Sequence, residues 1–513
     1  MKPSSSPYEV PGRDPTDDRR GLFEGMSARG RVFEAVSDDA WLGAMLEVEA
    51  ALAGACAVAG LIPAAAGEAI VSVCVDLRPD PAELGRIAAM HATPVVPLVA
   101  AIRAAVPAPV RQFVHFGATS QDVVDSAAML VTRRALAILL SDVDAAADAA
   151  ATLASTHRDT AMIGRTLLQQ AVPVTFGLTA ATWLSGLDAA AHALRTYTPT
   201  AQLGGAAGTL DRFDAPLQAP RSPTPTAEPA DAADTTTHAP RSPTPTAQPT
   251  DPTDTTTQAP HGHTPTAEPS GAADTTARAH RGHTQAAQPG DVAHAIGPAV
   301  VADFARRLGL AVPDLPWHTE RSRIGALAGA LGVMAGALAK PARDITLLAQ
   351  NEVGEVGEGS PGASSAMPHK HNPVAAVSTL AAAAQAPGLV ATLLATAVQE
   401  HQRAAGAWQA EWKPLRDLLV TVGSAASWLR ACLTGLVVHP EVMRTNLVQA
   451  GWPPETPGGS IPHLVNASLA RHRDTGPTRG RDPENDPDRA PERAQERDPD
   501  QNGDRDDHDP NVR

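Results

Sequence analysis

Gly354-Glu355-Val356-Gly357-Glu358-Gly359-Ser360-Pro361-Gly362-Ala363-Ser364-Ser365-Ala366-Met367-Pro368-His369-Lys370-His371-Asn372-Pro373 separates two Ala-rich runs of helical periodicity. Its glycines give the backbone conformational freedom, and its Ser, Lys, His and Asn side chains can bind an anion or move a proton. A serine hydroxyl is a very weak base, so proton abstraction by Ser364 requires an ammonium and backbone N–H groups to stabilise the alkoxide. Lys370, six positions on, is the candidate ammonium. By composition alone the segment reads first as a polar interhelical loop.

The sequence on either side reads as helix. Trp41, Met45, Val48 and Leu52 recur at spacings of three and four, the signature of an amphipathic helix. Thr119-Ser120-Gln121-Asp122 opens a longer run that carries Met129, Leu136, Leu140 and Val143 to about residue 157, with Thr or Ser as its cap. Further helices are expected at about 173–195, 292–309, 322–350, 373–401 and 411–447. The fold class expected is all-α: a small helical N-terminal domain at 21–115 and a long-helix bundle at 116–447. A reduced C-terminal domain is expected at 448–473. Aromatic residues are only 3% of the chain, so the core has to be built from Ala, Val and Leu, which favours closely packed helices over sheets.

Residues 211–290 interrupt the bundle with an imperfect twenty-residue repeat of Pro, Thr, Ala and Asp. Ala219-Pro220-Arg221 returns as Ala239-Pro240-Arg241 and Ala259-Pro260-His261. Such units have little apolar surface to stack, so disorder is expected there, as it is at 1–20 and in the acidic tail 474–513. The formal charge of −15 excludes a nucleic-acid surface held by general electrostatics. Cys56, Cys74 and Cys432 stand singly among apolar residues and read as reduced core thiols of a cytoplasmic protein. The apolar stretch at 324–339 is Ala- and Gly-rich and is flanked by Arg323 and Lys340, so no membrane insertion is expected.

The loop resembles the GSSxMPxKxN signature of the fumarase/aspartase superfamily, and the likeness runs from about Leu22 to Leu447, the insert excepted. Within that superfamily the sequence is similar to the carboxymuconate cycloisomerases. The segments that carry this are Gly164-Arg165-Thr166-Leu167-Leu168-Gln169-Gln170-Ala171-Val172-Pro173, Pro316-Trp317-His318-Thr319-Glu320-Arg321 and Gly406-Ala407-Trp408-Gln409-Ala410-Glu411-Trp412. The resemblance implies an intramolecular lyase that interconverts 3-carboxy-cis,cis-muconate and 4-carboxymuconolactone in aromatic catabolism, with no cofactor and no metal. It also implies a homotetramer acting on a small tricarboxylate, each site assembled from several subunits. Adenylosuccinate lyases carry Arg-Thr-His where Arg165-Thr166-Leu167 stands, and an alkyl side chain transfers no proton. Such a lyase, or a catalytically silent scaffold of this fold, is the alternative reading.

By the same resemblance Ser364, Lys370 and His115 are the catalytic candidates. Thr119, Ser120, Arg165, Gln169, Arg321, Arg323, Ser365, Met367, Asn372 and Arg403 are the substrate-binding ones, with Arg321 the first choice as carboxylate partner because guanidinium binds in bidentate fashion. His115-Phe116-Gly117-Ala118-Thr119-Ser120-Gln121-Asp122 resembles a block that holds substrate carboxylate at a helix start, where free N–H groups and the dipole favour an anion. Gln202-Leu203-Gly204-Gly205-Ala206-Ala207-Gly208-Thr209 resembles a substrate-side glycine loop. Departures from the family pattern bear on activity: Ala363 for the usual glycine, Ser322 between the two arginines where Asp is common, and the short C-terminal region.

Overall fold

The computed structural model describes residues 21–214, 296–362, 367, 370–455 and 457–475. The chain divides into two compact units, 1–217 with 296–513, and 218–295, and every described residue belongs to the first. The tract expected to be disordered at 1–20 lies outside the described residues, as do 215–295 and all of the expected tail 474–513 except its first two residues, which end helix Ile461–Thr475.

Helix Ser120–Thr156 is the spine. Its 37 residues span about 55 Å at 1.5 Å per residue, and it packs against helices Asp38–Val58, Phe176–Arg195 and Ala407–Thr434. Small side chains make this possible: Ala127, Ala135, Ala146, Ala150 and Ala154 are fully buried along the spine, so neighbouring backbones approach closely. Gly423 shows the same constraint, since a Cβ there would fall 2.6 Å from Val32 Cβ. Helix Ser322–Leu348 packs on Phe176–Arg195, Val374–Ala383, Ala386–Ala395 and Ala407–Thr434, which completes the expected all-helical bundle.

The element boundaries depart from the sequence expectation where local chemistry intervenes. The run expected at 373–401 is two helices, Val374–Ala383 and Ala386–Ala395. The run expected at 411–447 starts earlier, at Ala407 after Gly406 with φ 106°, and stops at Thr434 before Gly435. Beyond it come a short strand, Leu436–Val438, and helix Pro440–Gln449. That strand pairs antiparallel with Val356–Glu358, at the start of the signature loop.

A second antiparallel pair, β1 (Ala161–Thr166) and β2 (Gln169–Thr175), is the other exception to the helical pattern. Thr166 pairs with Gln169, leaving a two-residue turn of Leu167 and Leu168 with φ 48° and 64°. Such turns are normally filled by Asn-Gly because both central residues take positive φ. Here two leucines take it, and they are 96% and 73% exposed.

Residues 448–473, expected as a reduced C-terminal domain, include most of helix Ile461–Thr475, which packs on Phe176–Arg195. Ser468 Oγ donates to the Ala181 carbonyl at 3.2 Å, and the His472 ring lies between Asp188 and Asp148. At the insert, the first four residues of the tract expected to be disordered are helical: Asp211–Asp214 is a helical turn whose Phe213 is fully buried. The ring lies against Gly117, where a Cβ would fall 2.9 Å from it. The Gly297 N–H donates to Asp214 Oδ1 at 2.7 Å.

Phe213 thus anchors the chain at the point where the insert departs. Phe213→Ala is expected to cost about 3–5 kcal/mol through the cavity it leaves, read as a lowered midpoint in urea unfolding. An unchanged midpoint would mean that the ring contributes no packing.

Candidate active site

Three segments distant in sequence meet on one buried carboxylate. Asp122, in the first turn of the spine helix, accepts from the Thr119 N–H at 2.9 Å, the Gly204 N–H at 2.9 Å and the Gly205 N–H at 3.0 Å. Its Oδ1 lies 2.7 Å from His318 Nε2. The glycines are required by this approach: a Cβ at Gly204 would fall 2.8 Å from both His318 and Pro316, and Gly205 takes φ +73° with its Cβ position 2.9 Å from the Gly117 carbonyl. The helix start, the glycine loop and the Pro316–Arg321 segment therefore form one construction.

Next to it, Arg321 is wedged between two acids. Its Nη1 donates to Asp125 Oδ2 at 2.7 Å, and its Nε and Nη2 donate to Glu411 at 3.1 and 2.5 Å. All three residues are at most 3% exposed. Burial works against the charged guanidinium, but Asp125 and Glu411 outweigh it and hold the proton more firmly than usual. Trp408 Nε1 and Gln121 Nε2 donate to Asp125, and Gln399 Nε2 donates to Glu411, so the surplus negative charge is spread over neutral donors. Arg321 holds helices Ser120–Thr156 and Ala407–Thr434 together, and its side chain is already committed to them.

His115 enters the same region at φ +62°. Its Nδ1 lies 2.6 Å from Oε1 of the fully buried Glu49. Burial pulls the imidazole pKa down, yet the charge and hydrogen bond of Glu49, with help from Asp122, leave it raised. Thr119 and Ser120 stand at the helix start beside it, and the Arg403 guanidinium donates to the Ala206 carbonyl of the glycine loop at 2.8 Å.

Arg323 differs from Arg321. Its guanidinium lies 5.0 Å from the centre of the Trp317 ring, and its Nε is buried with no hydrogen-bond partner among the described residues. Of the two, it has donor capacity to spare.

The signature loop is held in a second group. Glu355, fully buried, takes a bidentate ion pair from Arg165 at 2.9 and 2.8 Å and a further bond from Asn446 Nδ2. Glu358 accepts from the Ala375 and Ala376 N–H groups, capping the following helix. Gly362 and Asn372 form an antiparallel bridge that closes the loop's stem, and a Cβ at Gly362 would fall 2.0 Å from Val374. Lys370 is exposed, and its N–H bonds to the Met367 carbonyl. Gln169 is exposed at the foot of the leucine turn. Ser364 and Ser365 lie outside the described residues. Arg165, like Arg321, is committed to a carboxylate of its own chain.

Sequence reading missed Asp125, His318, Glu411, Glu49 and Glu355 as the partners that hold the candidates, and it read Asp122 only as part of a cap. One signal was available: Asp122 and Asp125 interrupt an otherwise apolar helical face, and a carboxylate there has to be paired when buried. The cysteines agree with their reading as core thiols. All three are buried and unpaired, and burial, with Glu49 adding, pushes Cys56 and Cys74 up to about 12.

A long-helix bundle that carries a glycine-rich loop on a closed stem and, elsewhere in the same chain, helix and loop ends anchored on a buried carboxylate defines a lyase of the fumarase/aspartase fold. The chain belongs to the lyase family, whose sequence pattern, described simply as Lyase, matches residues 14–219 and 274–388. It is 38% identical over 440 residues to nitrosuccinate lyase of Streptomyces davaonensis, covering 84% of this chain and 77% of the relative. It is 35% identical over 459 residues to 3-carboxy-cis,cis-muconate cycloisomerase of Pseudomonas aeruginosa, covering 88% and 81%. The crystal structure of the 3-carboxy-cis,cis-muconate lactonizing enzyme from Pseudomonas putida superposes with a TM-score of 0.64 at 30% identity, covering 88% and 87%.

Two predictions follow the geometry. Arg321→Met strands two buried carboxylates and is expected to cost about 3–5 kcal/mol of stability, whereas Arg323→Met leaves the unfolding midpoint nearly unchanged and raises KM about tenfold. A KM unaffected by Arg323→Met would remove that residue from the site. The second concerns His115, whose folded-state pKa lies above its ordinary value of 6.5. A raised pKa adds stability that is complete below the unfolded value and is lost as pH rises through the folded one. The stability gap between the native chain and Glu49→Gln is therefore expected to be widest below about pH 6 and to narrow as pH rises. Urea midpoints measured across pH check this, and a gap that widens with pH would contradict it.

Proposed function

We propose that the protein closes 3-carboxy-cis,cis-muconate to 4-carboxymuconolactone, and reopens it, in protocatechuate breakdown through the β-ketoadipate route. A substrate carboxylate oxygen adds to one carbon of a double bond, and the neighbouring carbon gains a proton. In the opening direction Ser364 removes that proton, the C–O bond breaks, and the electron pair forms the double bond. Lys370 stabilises the serine alkoxide, and Asn372 with the Thr119 and Ser120 hydroxyls supports the negative charge that builds on the adjacent carboxylate. The departing group is a carboxylate, stable as an anion, and needs no acid.

The observation that carries this reading is the turn of Leu167 and Leu168, fixed by the β1–β2 register with alkyl side chains outward, in a chain 35% identical to a cycloisomerase over most of its length. No proton donor stands at that tip, as suits an anionic leaving group and not an amine. The same feature suits elimination from nitrosuccinate, the substrate named for the relative at 38% identity, and this is the second reading.

The reading also carries a cytoplasmic homotetramer. Helix Ser322–Leu348 and the run Val374–Ala395 have mean hydropathies of 1.4 and 1.5 over their most apolar windows, yet only 39% and 33% of those windows are buried within the chain. With helix Asp38–Val58 they are long and apolar enough to cross a membrane by length and composition. Burial against other copies of the chain accounts for the unburied apolar surface without a bilayer. In such an assembly the Asp122 group of one copy and the signature loop of another complete a site.

Incubation with 3-carboxymuconate is expected to remove the diene absorbance, and Ser364→Ala to slow this by about 10²-fold or more. Fumarate and nitrite released from nitrosuccinate, with no change in the muconate, would establish the second reading. Fumarate from adenylosuccinate, or silence on all three substrates, would overturn both.

A further inference from the structure

The segment Ala28-Arg29-Gly30-Arg31 brings two arginines against helix Ala407–Thr434, where a third, Arg430, already stands. The segment is stapled there. The Arg29 N–H donates to Ser424 Oγ at 3.0 Å, and the Met26 carbonyl accepts from Ser424 Oγ at 3.2 Å and from Trp428 Nε1 at 2.8 Å. Ser424, Ser427 and Trp428 share a helix face by their spacing. Gly30 lies against it at φ +91°, where a Cβ would fall 3.0 Å from Ser427 and 3.9 Å from Asp142 Oδ2. Glycine suits this backbone, and the turn carries the arginines on either side of it to Asp142 of the spine helix.

The charges gathered there do not balance. Asp142 is buried, with Arg430 Nε 3.3 Å from its Oδ1. Burial holds its carboxyl above the usual range, although Arg430, Arg29 and Arg31 all pull it down. One acid against three guanidiniums leaves a surplus of two positive charges. Arg29 is the least compensated. Its guanidinium lies 3.9 Å from the centre of the Trp428 ring, and among the described residues it has no hydrogen bond and no carboxylate within ion-pair distance. Burial and the neighbouring Arg430 both oppose its charge, and Asp142 only partly offsets them. Like charges held together and partly desolvated are unfavourable, and an anion between them relieves both the repulsion and the unmet hydrogen bonds.

The donors are within reach of solvent. Arg31 is exposed, the Arg430 side chain is 49% exposed, and the Arg29 nitrogens are not among the buried unpaired atoms. Guanidinium groups suit phosphate oxygens, which accept from several directions. A carboxylate is planar and singly charged, whereas a phosphate dianion is tetrahedral and matches the surplus of two.

We propose that Arg29, Arg31 and Arg430 bind a phosphate dianion, either free or as the phosphoryl group of a small ester. The stack on Trp428 and the ion pair with Asp142 hold two of the three guanidiniums in place before the anion arrives. The site is separate from the Asp122 group, because Asp142 stands twenty residues further along the spine helix, about 30 Å at 1.5 Å per residue. The proposal does not depend on the reaction assigned above.

The test is calorimetric titration of the full chain with inorganic phosphate and with glycerol 3-phosphate at fixed ionic strength. With a formal charge of −15 the protein repels anions in general, so saturable binding reports a local cluster. One anion per chain is expected to bind with a dissociation constant below about 1 mM, and the tighter of the two probes identifies the source. Arg31→Gln and Arg430→Gln should each weaken this about tenfold, and Arg31→Lys, which keeps the charge, should weaken it less. The tighter probe should also raise the urea midpoint of the native chain and leave that of the double glutamine variant unchanged. Tricarballylate should bind about tenfold more weakly than phosphate. Absence of saturable binding by both probes, or an affinity that neither glutamine variant changes, overturns the site. Equal binding of tricarballylate overturns the assignment of a phosphate.

Discussion

Asp122 is the interaction on which the arrangement depends. A single buried carboxylate takes three backbone N–H groups and faces an imidazole, and in doing so joins the start of the spine helix to residues 204–205 and to residue 318. Charge-assisted bonds of this kind are stronger than neutral ones, and a buried carboxylate without them is costly. Glycine at 204 and 205 is the other half of the same requirement, because any side chain would push the loop off the acid. The positions of Thr119, Ser120, Arg403 and the Pro316–Arg321 segment follow from that one point of attachment.

A second constraint concerns positive charge. A polyanionic substrate needs cations, yet Arg165 and Arg321 are each held by carboxylates of their own chain. Their work is to fix elements in place: Arg165 joins strand β1 to the start of the signature loop, and Arg321 joins two bundle helices. Among the candidate cations of the described residues, Lys370, Arg323 beside Trp317 and Arg403, which donates to a backbone carbonyl, have no carboxylate holding them.

Much of this was legible in the sequence. The spacing of apolar residues marked the long helices, because burial on one face of a helix imposes a period that composition cannot hide. The likeness of the signature loop and of the 115–122 and 202–209 segments located the elements of the site. Partners were not legible. Nothing in the neighbourhood of Arg321 announces Asp125 or Glu411, which lie 196 and 90 positions away, and bidentate geometry serves an internal acid as well as a substrate. The β1–β2 hairpin was missed because its turn is Leu-Leu and carries no Gly, Asn or Asp to mark it. The helix expected to run through 411–447 stops at Gly435, where the neighbouring Val356–Glu358 strand offers Leu436–Val438 a pairing edge that local propensity does not record.

The bond from Gly297 to Asp214 joins two residues 83 positions apart in sequence, one on either side of the Pro/Thr-rich tract. The entropic cost of bringing two positions of a flexible chain together grows only as the logarithm of their separation, about 0.6 kcal/mol for each doubling, so a contact between partners this far apart is little affected by the number of positions between them.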